Sequence, residues 1–287
     1  MERRSGRRWW RWIVFIPAGL MAAVAFWGLL DAVDGASART VWNRTWTGAD
    51  GQELGGYLIV PTDARRLVPS PATRTIVTAE RSAADGRYPA VLLIHERWGL
   101  TVDTARLADQ LAADGYIVLA VDALRGRRAV SVPGALALSA MTPTDRIDRD
   151  IDRALDELAA LPDVDPERIA VAGFGFGAVR ALRLGGRRAD VAATAIFYGA
   201  APFSTAEEIG LLGRSGPVLG IYGAADRTIP TEDIERFESL LLDAGVDARF
   251  TIYDGAGHAF VDAESVGTDP VAATAWDRFR LFLLDAL

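Results

Sequence analysis

The sequence contains no cysteine and no lysine, and it has only two histidines, His95 and His258. The absence of cysteine excludes disulfides, thiolate metal sites and a cysteine nucleophile. Two histidines argue against a histidine-based metal cluster, so neither a metal nor another cofactor is expected. The net charge of −7 gives no basis for binding nucleic acid, and no such partner is predicted.

A long uncharged segment lies near the N-terminus. Residues 13–30 contain no charged side chain, and the first 12 residues contain five arginines. A helix of this length would be about 27 Å long, which matches the apolar thickness of a bilayer. Because the arginines precede it and Asp31 and Asp34 follow it, the positive-inside rule predicts a cytoplasmic N-terminus and a main domain outside the cytoplasm.

The alternative for this segment is a cleaved signal peptide of a secreted protein, with Ala36-Ser37-Ala38 as the cleavage site. The apolar stretch is longer than that of most signal peptides, which favours a retained anchor. We therefore divide the chain into a cytoplasmic tip and membrane anchor (residues 1–30), a linker (31–45) and a main domain (46–287).

Strand and helix patterns alternate along the main domain. Two opening strands, expected to be antiparallel, lie at VWNRTW and GYLIVP, and a loop follows over residues 62–88. Apolar strands at 89–95, 116–122, 168–173, 191–199, 217–223 and 248–254 then alternate with helices, and residues 123–144 read as a long connection. Continuous apolar strands separated by helices predict a mostly parallel sheet covered on both faces, with ligands at the carboxyl ends of its strands.

The glycine-rich turn after residues 168–173 lacks the side chain that its pattern calls for. An α/β-hydrolase fold carries its nucleophile as the middle residue of Gly-x-Nuc-x-Gly between a strand and a helix. Here the pattern is GFGFG and its middle residue is Gly175. Asp226 follows the penultimate strand and His258 the last one, which is the order of acid and histidine in that fold.

Several ordered blocks extend this likeness: VLLIHERWGLTVDTARLADQLAADGYIVLAVDALRG, DPERIAVAGFGFGA, PVLGIYGAAD and YDGAGHAFVD. Together they resemble the dienelactone hydrolase family, the carboxymethylenebutenolidases, from about residue 46 to the C-terminus. The resemblance implies an α/β-hydrolase fold and a small ester or lactone ligand.

The resemblance also assigns roles to individual residues. Asp226 and His258 match the family's acid and base, and Glu96 matches its active-site glutamate. The backbone amides of Arg97 and Phe176 match its oxyanion hole. The position of the family's nucleophile corresponds to Gly175, so this sequence has no side chain there for the covalent step of the family's reaction.

Other polar residues near these blocks have simpler interpretations. His95 is expected to form a structural hydrogen bond, and Arg125, Arg127 and Arg128 are expected on a solvated loop, where one of them could contact an anionic substrate. The glycine turn also satisfies G-x-G-x-x-A, a dinucleotide-binding pattern, but the next strand ends in Tyr198 instead of the acid that would bind a ribose.

Three functions remain open from the sequence. The domain is a catalytically silent hydrolase fold that serves as a binding module or as an accessory subunit of a membrane complex. Alternatively, it is a hydrolase in which His258, supported by Asp226, activates water directly. The third possibility is a lyase or isomerase that uses His258 as a proton shuttle.

Overall fold

The computed structural model describes Phe26 and residues 37–61, 86–201, 203 and 206–287. The predicted membrane anchor, except for Phe26, and most of the predicted loop at 62–88 lie outside these residues. Within the described ranges, no helix combines the length and apolar character needed to cross a bilayer.

The strands of the described residues form one eight-stranded sheet with the order β1-β2-β4-β3-β5-β6-β7-β8. Strand β2 is antiparallel to β1 and β4, and the remaining neighbours are parallel. The strands are β1 (Arg44–Thr47), β2 (Glu53–Ile59), β3 (Tyr88–Ile94), β4 (Ile117–Val121), β5 (Val164–Phe174), β6 (Ala193–Phe197), β7 (Val218–Gly223) and β8 (Ala248–Tyr253).

Helices cover both faces of the sheet, because successive strand residues point to opposite sides. On β3, Leu92 packs into a core formed with α3, α4 and α6, whereas its neighbour Leu93 packs into a core formed with α1 and α8. The helices are α1 (Val102–Ala113), α2 (Val132–Met141), α3 (Thr144–Ala159), α4 (Phe176–Arg187), α5 (Ala206–Leu211), α6 (Thr231–Asp243), α7 (Ser265–Thr268) and α8 (Pro270–Ala286). The predicted mostly parallel α/β architecture is confirmed.

One helix lies where the sequence predicted only a connection. Helix α2 occupies the middle of residues 123–144. None of its ten residues is charged, so it has no alternation of polar and apolar faces to reveal a helical period. Its local start signals are ordinary: the Ser131 side chain accepts a hydrogen bond from the Gly134 amide, and Pro133 lies in the first turn.

The packed domain also begins earlier than the predicted boundary at residue 46. Ala38 is fully buried, and its amide donates to the Gly126 carbonyl at 3.0 Å. Strand β1 begins at Arg44 and pairs with β2. Residues 38–45 therefore belong to the folded domain, and the predicted linker over 31–45 is too long at its C-terminal end.

The polar residues selected from the sequence follow strands that end at one edge of the sheet. Strands β3, β5, β7 and β8 are parallel members of the sheet, so their carboxyl ends lie on the same side. The loops after them carry Glu96, Gly175, Asp226 and His258. A single edge therefore brings together residues that are up to 162 positions apart, from Glu96 to His258.

Candidate active site

The acid and the histidine form a direct hydrogen bond. His258 Nδ1 lies 2.7 Å from Asp226 Oδ2. Asp226 cannot donate as a carboxylate, so Nδ1 carries the proton and Nε2 of the neutral ring is left as an acceptor. The Asp226 side chain is fully buried, whereas that of His258 is 24% exposed. This is the arrangement of a general base whose tautomer is fixed by an acid.

The loop after β7 fixes the orientation of the Asp226 carboxylate. Its second oxygen, Oδ1, accepts hydrogen bonds from the amides of Thr228 at 2.7 Å and Ile229 at 3.2 Å. Both oxygens therefore have partners within a few residues of the strand end. The acid cannot rotate away from His258 without losing these two bonds.

Gly175 occupies the sharp turn between β5 and α4 with φ +49° and ψ −103°. Residues other than glycine rarely adopt positive φ, and they do so mostly where function requires it. A Cβ built on Gly175 would lie 3.9 Å from Tyr198 Cδ2 and 4.0 Å from His258 Nε2. The turn thus has a backbone conformation that favours glycine, with space for a side chain that would face the histidine.

The two flanking glycines are required by close backbone crossings. A Cβ on Gly173 would lie 2.2 Å from the Gly177 carbonyl oxygen, and a Cβ on Gly177 would lie 2.2 Å from the Ile94 carbonyl oxygen. Both distances are far below van der Waals contact, so only glycine fits at these positions. The middle glycine differs from its neighbours because space does not demand it.

The two amides that the resemblance assigns to an oxyanion hole belong to Phe176 and Arg97. Phe176 is the first residue of α4, so its amide has no acceptor one turn earlier in the helix. The amide of Arg97, in the loop after β3, donates to no backbone acceptor within the described part of the chain. The helix N-terminus adds a partial positive charge at this point.

Glu96 lines a pocket of about 420 Å³ that includes Phe174 and Ala259, the chain neighbours of Gly175 and His258, but neither Gly175 nor His258 itself. Burial raises the pKa of its carboxyl, while a hydrogen bond with Tyr198 and the charges of His258 and Arg97 act in the opposite direction. The pocket is also lined by Trp98, Thr101, Asp103, Arg106, Phe174, Val261 and Asp262. No group of three or more potential metal-binding side chains occurs among the described residues.

Tyr198 is a site residue that the sequence analysis did not select. It follows β6 with φ +42°, is fully buried, and donates a hydrogen bond from its hydroxyl to the Val261 carbonyl at 2.9 Å. Its ring meets that of His258 edge-on, with centroids 5.3 Å apart. The available signal was a polar aromatic residue at the carboxyl end of an apolar strand.

His95 has a structural role. Its Nδ1 lies 2.6 Å from the Glu96 carbonyl oxygen, and its Nε2 accepts a hydrogen bond from the Ala123 amide at 3.1 Å. The fully buried ring thereby connects the loops after β3 and β4. The histidine is committed to this connection and is not available for catalysis.

The arginines after β4 do not act as one group. Arg125 makes a bidentate ion pair with Asp150, at 2.6 and 2.7 Å, and a further one with Asp50 at 2.8 Å. Arg127 donates to the Thr142 hydroxyl at 2.9 Å. The Nε of Arg128 is buried without a hydrogen-bond partner in the described structure. Arg125 therefore supports the fold and is not free to contact a substrate.

Comparison with known proteins identifies the family. The model of the dienelactone hydrolase family matches residues 74–287. The chain belongs to the dienelactone hydrolase family. A Synechocystis sp. protein provisionally named carboxymethylenebutenolidase is 29% identical over 213 residues, which cover 69% of this chain and 86% of that protein.

Solved structures show the same fold. A crystal structure from Klebsiella pneumoniae, provisionally named a dienelactone hydrolase, has a TM-score of 0.68 at 22% identity and covers 84% of this chain and 99% of its own. A dienelactone hydrolase-like promiscuous phosphotriesterase from metagenomic libraries has a TM-score of 0.66 at 21% identity, with 85% and 97% covered. The family thus supports a hydrolase-like function for this chain.

Proposed function

We propose that this dienelactone hydrolase-like domain binds a small ester or lactone but does not hydrolyse it through a covalent intermediate. The observation that supports the proposal is the turn at Gly175, which has the backbone conformation of a nucleophile position and no side chain. Removal of the nucleophile from a serine hydrolase costs about a millionfold in turnover. The amides of Arg97 and Phe176 and the pocket beside Glu96 remain to bind a carbonyl compound.

Glycine at this turn stabilises the fold while it removes the chemistry. A side chain at positive φ costs on the order of 1–3 kcal/mol in backbone strain, and glycine avoids that cost. Loss of the nucleophile is therefore compatible with an intact domain. A protein that binds a ligand without turnover fits the role of a binding module or an accessory subunit.

The N-terminal segment supports a place for this module at a membrane. We propose that residues 13–30 form a single membrane span, with the N-terminus in the cytoplasm and the main domain outside it. The absence of charge over this segment and the five arginines before it support the proposal. The domain would then act as an accessory subunit of a membrane complex, whereas cleavage after Ala38 would give a secreted protein.

A second candidate function is direct hydrolysis by water. The hydrogen bond between Asp226 and His258 favours it, because this pair still orients Nε2 toward the space that the missing side chain would fill. His258 would take a proton from the water while hydroxide attacks the ester carbonyl, and the protonated ring would then return the proton to the leaving alkoxide.

An activity comparison separates the two functions. The full-length protein in detergent is assayed on p-nitrophenyl acetate and on dienelactone, beside Gly175→Cys, Gly175→Ser and His258→Ala. A silent wild type together with an active Gly175→Cys supports the binding function, because the pocket and the assay then both work. Turnover by the wild type that His258→Ala abolishes would contradict silence and support the water mechanism.

Binding is measured on the same preparations. Calorimetric titration of the wild type with a non-hydrolysable lactone analogue should give saturable heat of binding. Arg106 lines the pocket whereas Arg236 lies on helix α6, so Arg106→Ala should weaken binding more than the matched change Arg236→Ala. Absence of both binding and turnover would refute the proposed function.

A further inference from the structure

The chain enters the domain at a defined place. Ser37 and Ala38, the first residues of the continuous described chain, both contact the Gly126 carbonyl, through the Ser37 hydroxyl at 3.3 Å and the Ala38 amide at 3.0 Å. Arg39 packs over Gly126, where an added Cβ would lie 2.9 Å from its Nε. The loop after β4 therefore holds the end of the segment that leads from the N-terminus.

Helix α2, which follows this loop, exposes apolar side chains. Val132 is 57% exposed, Leu136 46% and Met141 73%, and Val130 just before the helix is 60% exposed. The helix rests on the domain through its small residues Gly134, Ala135 and Ala137. Val132 and Leu136, which lie one helical turn apart, therefore share a face that points outward, the reverse of the usual pattern for a surface helix, whereas Met141 is exposed at the end of the helix.

This concentration of exposed apolar groups is specific to one part of the surface. Ten large apolar side chains of the described residues are strongly exposed, and four of them lie within residues 130–141. Scattered single residues of this kind are ordinary, whereas exposed neighbours such as Val132 and Leu136, one helical turn apart, indicate an interaction surface. Because no residue of α2 is charged, the surface fits an apolar partner.

The length of the connecting segment limits where this surface can be. Seven residue steps separate Leu30, the last residue of the uncharged segment, from Ser37. A fully extended chain spans at most about 3.6 Å per residue, so Leu30 lies within about 25 Å of Ser37 and of the Gly126 loop. Helix α2 begins six residues after Gly126. An anchor at residues 13–30 would therefore hold the α2 side of the domain next to the bilayer.

We propose that helix α2 lies on the lipid bilayer, with Val132 and Leu136 inserted at the boundary between headgroups and acyl chains. Interfacial helices bury their apolar face about 5–10 Å into this region. Arg127, an exposed residue in the loop between the anchor contact and α2, adds a positive charge beside this helix, of the sign that anionic headgroups attract. This inference rests on the membrane anchor of the proposed function.

Site-specific labelling tests the contact. Because the chain has no cysteine, single variants of the full-length protein can be labelled with bimane without a background. The variants are Leu136→Cys on α2, Phe26→Cys within the uncharged segment, and Leu242→Cys on α6 as the control. Leu242 is 53% exposed, similar to Leu136, and α6 packs beside β8, the last strand of the sheet.

Each protein is reconstituted into phosphatidylcholine–phosphatidylglycerol vesicles that contain brominated acyl chains. We expect bromine to quench the labels at positions 136 and 26, and the label at 242 to keep its fluorescence. Quenching at 26 with position 136 no different from 242 would overturn the inference and leave the anchor intact. Absence of quenching at 26 would refute the anchor, and the inference with it.

Another occupant of the surface gives a different result. If residues 13–30 or a second copy of the chain covered α2, the label at 136 would be shielded from aqueous iodide and also from brominated lipid. That outcome overturns the bilayer contact. If Leu136→Cys lowers the thermal stability, Val132→Cys takes its place, because Val132 is 57% exposed and shares the outward face of the helix with Leu136.

Discussion

The two sides of the candidate site differ in the polar side chains that they carry. On the side of β7 and β8, Asp226 binds His258 and two backbone amides, and every polar atom of the carboxylate has a partner. On the side of β5, Gly175 has positive φ and no side chain. The proposed function implies that the backbone which presents a nucleophile is separable from the nucleophile itself. An intact scaffold therefore does not by itself indicate turnover.

The largest expected effect is a loss of kcat when the hydrogen bond between Asp226 and His258 is altered. In a Gly175→Cys background, Asp226→Asn should lower kcat about 10⁴-fold, because an amide oxygen cannot both stabilise the imidazolium and hold the His258 tautomer as a carboxylate does. Ester hydrolysis under single-turnover conditions measures the change. Asp233→Asn, on the exposed surface of α6, is the control and should leave kcat unchanged. Equal rates for Gly175→Cys with and without Asp226→Asn would show that the acid–base pair is a structural remnant.

The next effect compares the three glycines of the turn. Gly173→Ala and Gly177→Ala should each destabilise the fold by about 3 kcal/mol, because a Cβ would meet backbone oxygens that cannot move aside. Gly175→Ala should cost only about 1 kcal/mol, since it adds strain at positive φ without a clash. Denaturant unfolding gives the three free energies. Similar losses at all three positions would mean that close packing requires glycine at 175, as it does at 173 and 177.

Much of this site followed from the order of the chain. The positions of Asp226, His258 and Gly175 could be predicted together because parallel strands end at one edge of a sheet. Tyr198 could not, because its role depends on contact with Val261, 63 residues away. Helix α2 was missed for a different reason: an uncharged helix that exposes its large apolar residues has no period in hydropathy.

A smaller effect concerns the tyrosine that joins the two sides of the site. Tyr198→Phe and Tyr222→Phe remove the buried hydrogen bonds to the Val261 and Gly199 carbonyls, and should each cost about 1–2 kcal/mol of stability. Only the Tyr198 hydroxyl also bonds a carboxylate of the site, that of Glu96. In the Gly175→Cys background, Tyr198→Phe should therefore lower kcat while Tyr222→Phe lowers stability alone. The same kcat for both variants would reduce Tyr198 to a packing residue.

The smallest effect is the pH dependence of stability that arises from Glu96. Burial raises the pKa of its carboxyl in the folded protein, so the folded state keeps a proton that the unfolded chain has already released. Stability should therefore fall as pH rises from about 4, the pKa of an unperturbed glutamate, until it passes the folded pKa, and then level off. The side chain in Glu96→Gln cannot ionise, so the stability of this variant should not fall over this pH range. Glu53→Gln, on the exposed edge of β2, should show the same fall in stability as the wild type. Thermal unfolding of the three proteins between pH 4 and 8 measures the difference. Parallel curves for the wild type and Glu96→Gln would show that water reaches the Glu96 carboxyl in the folded protein.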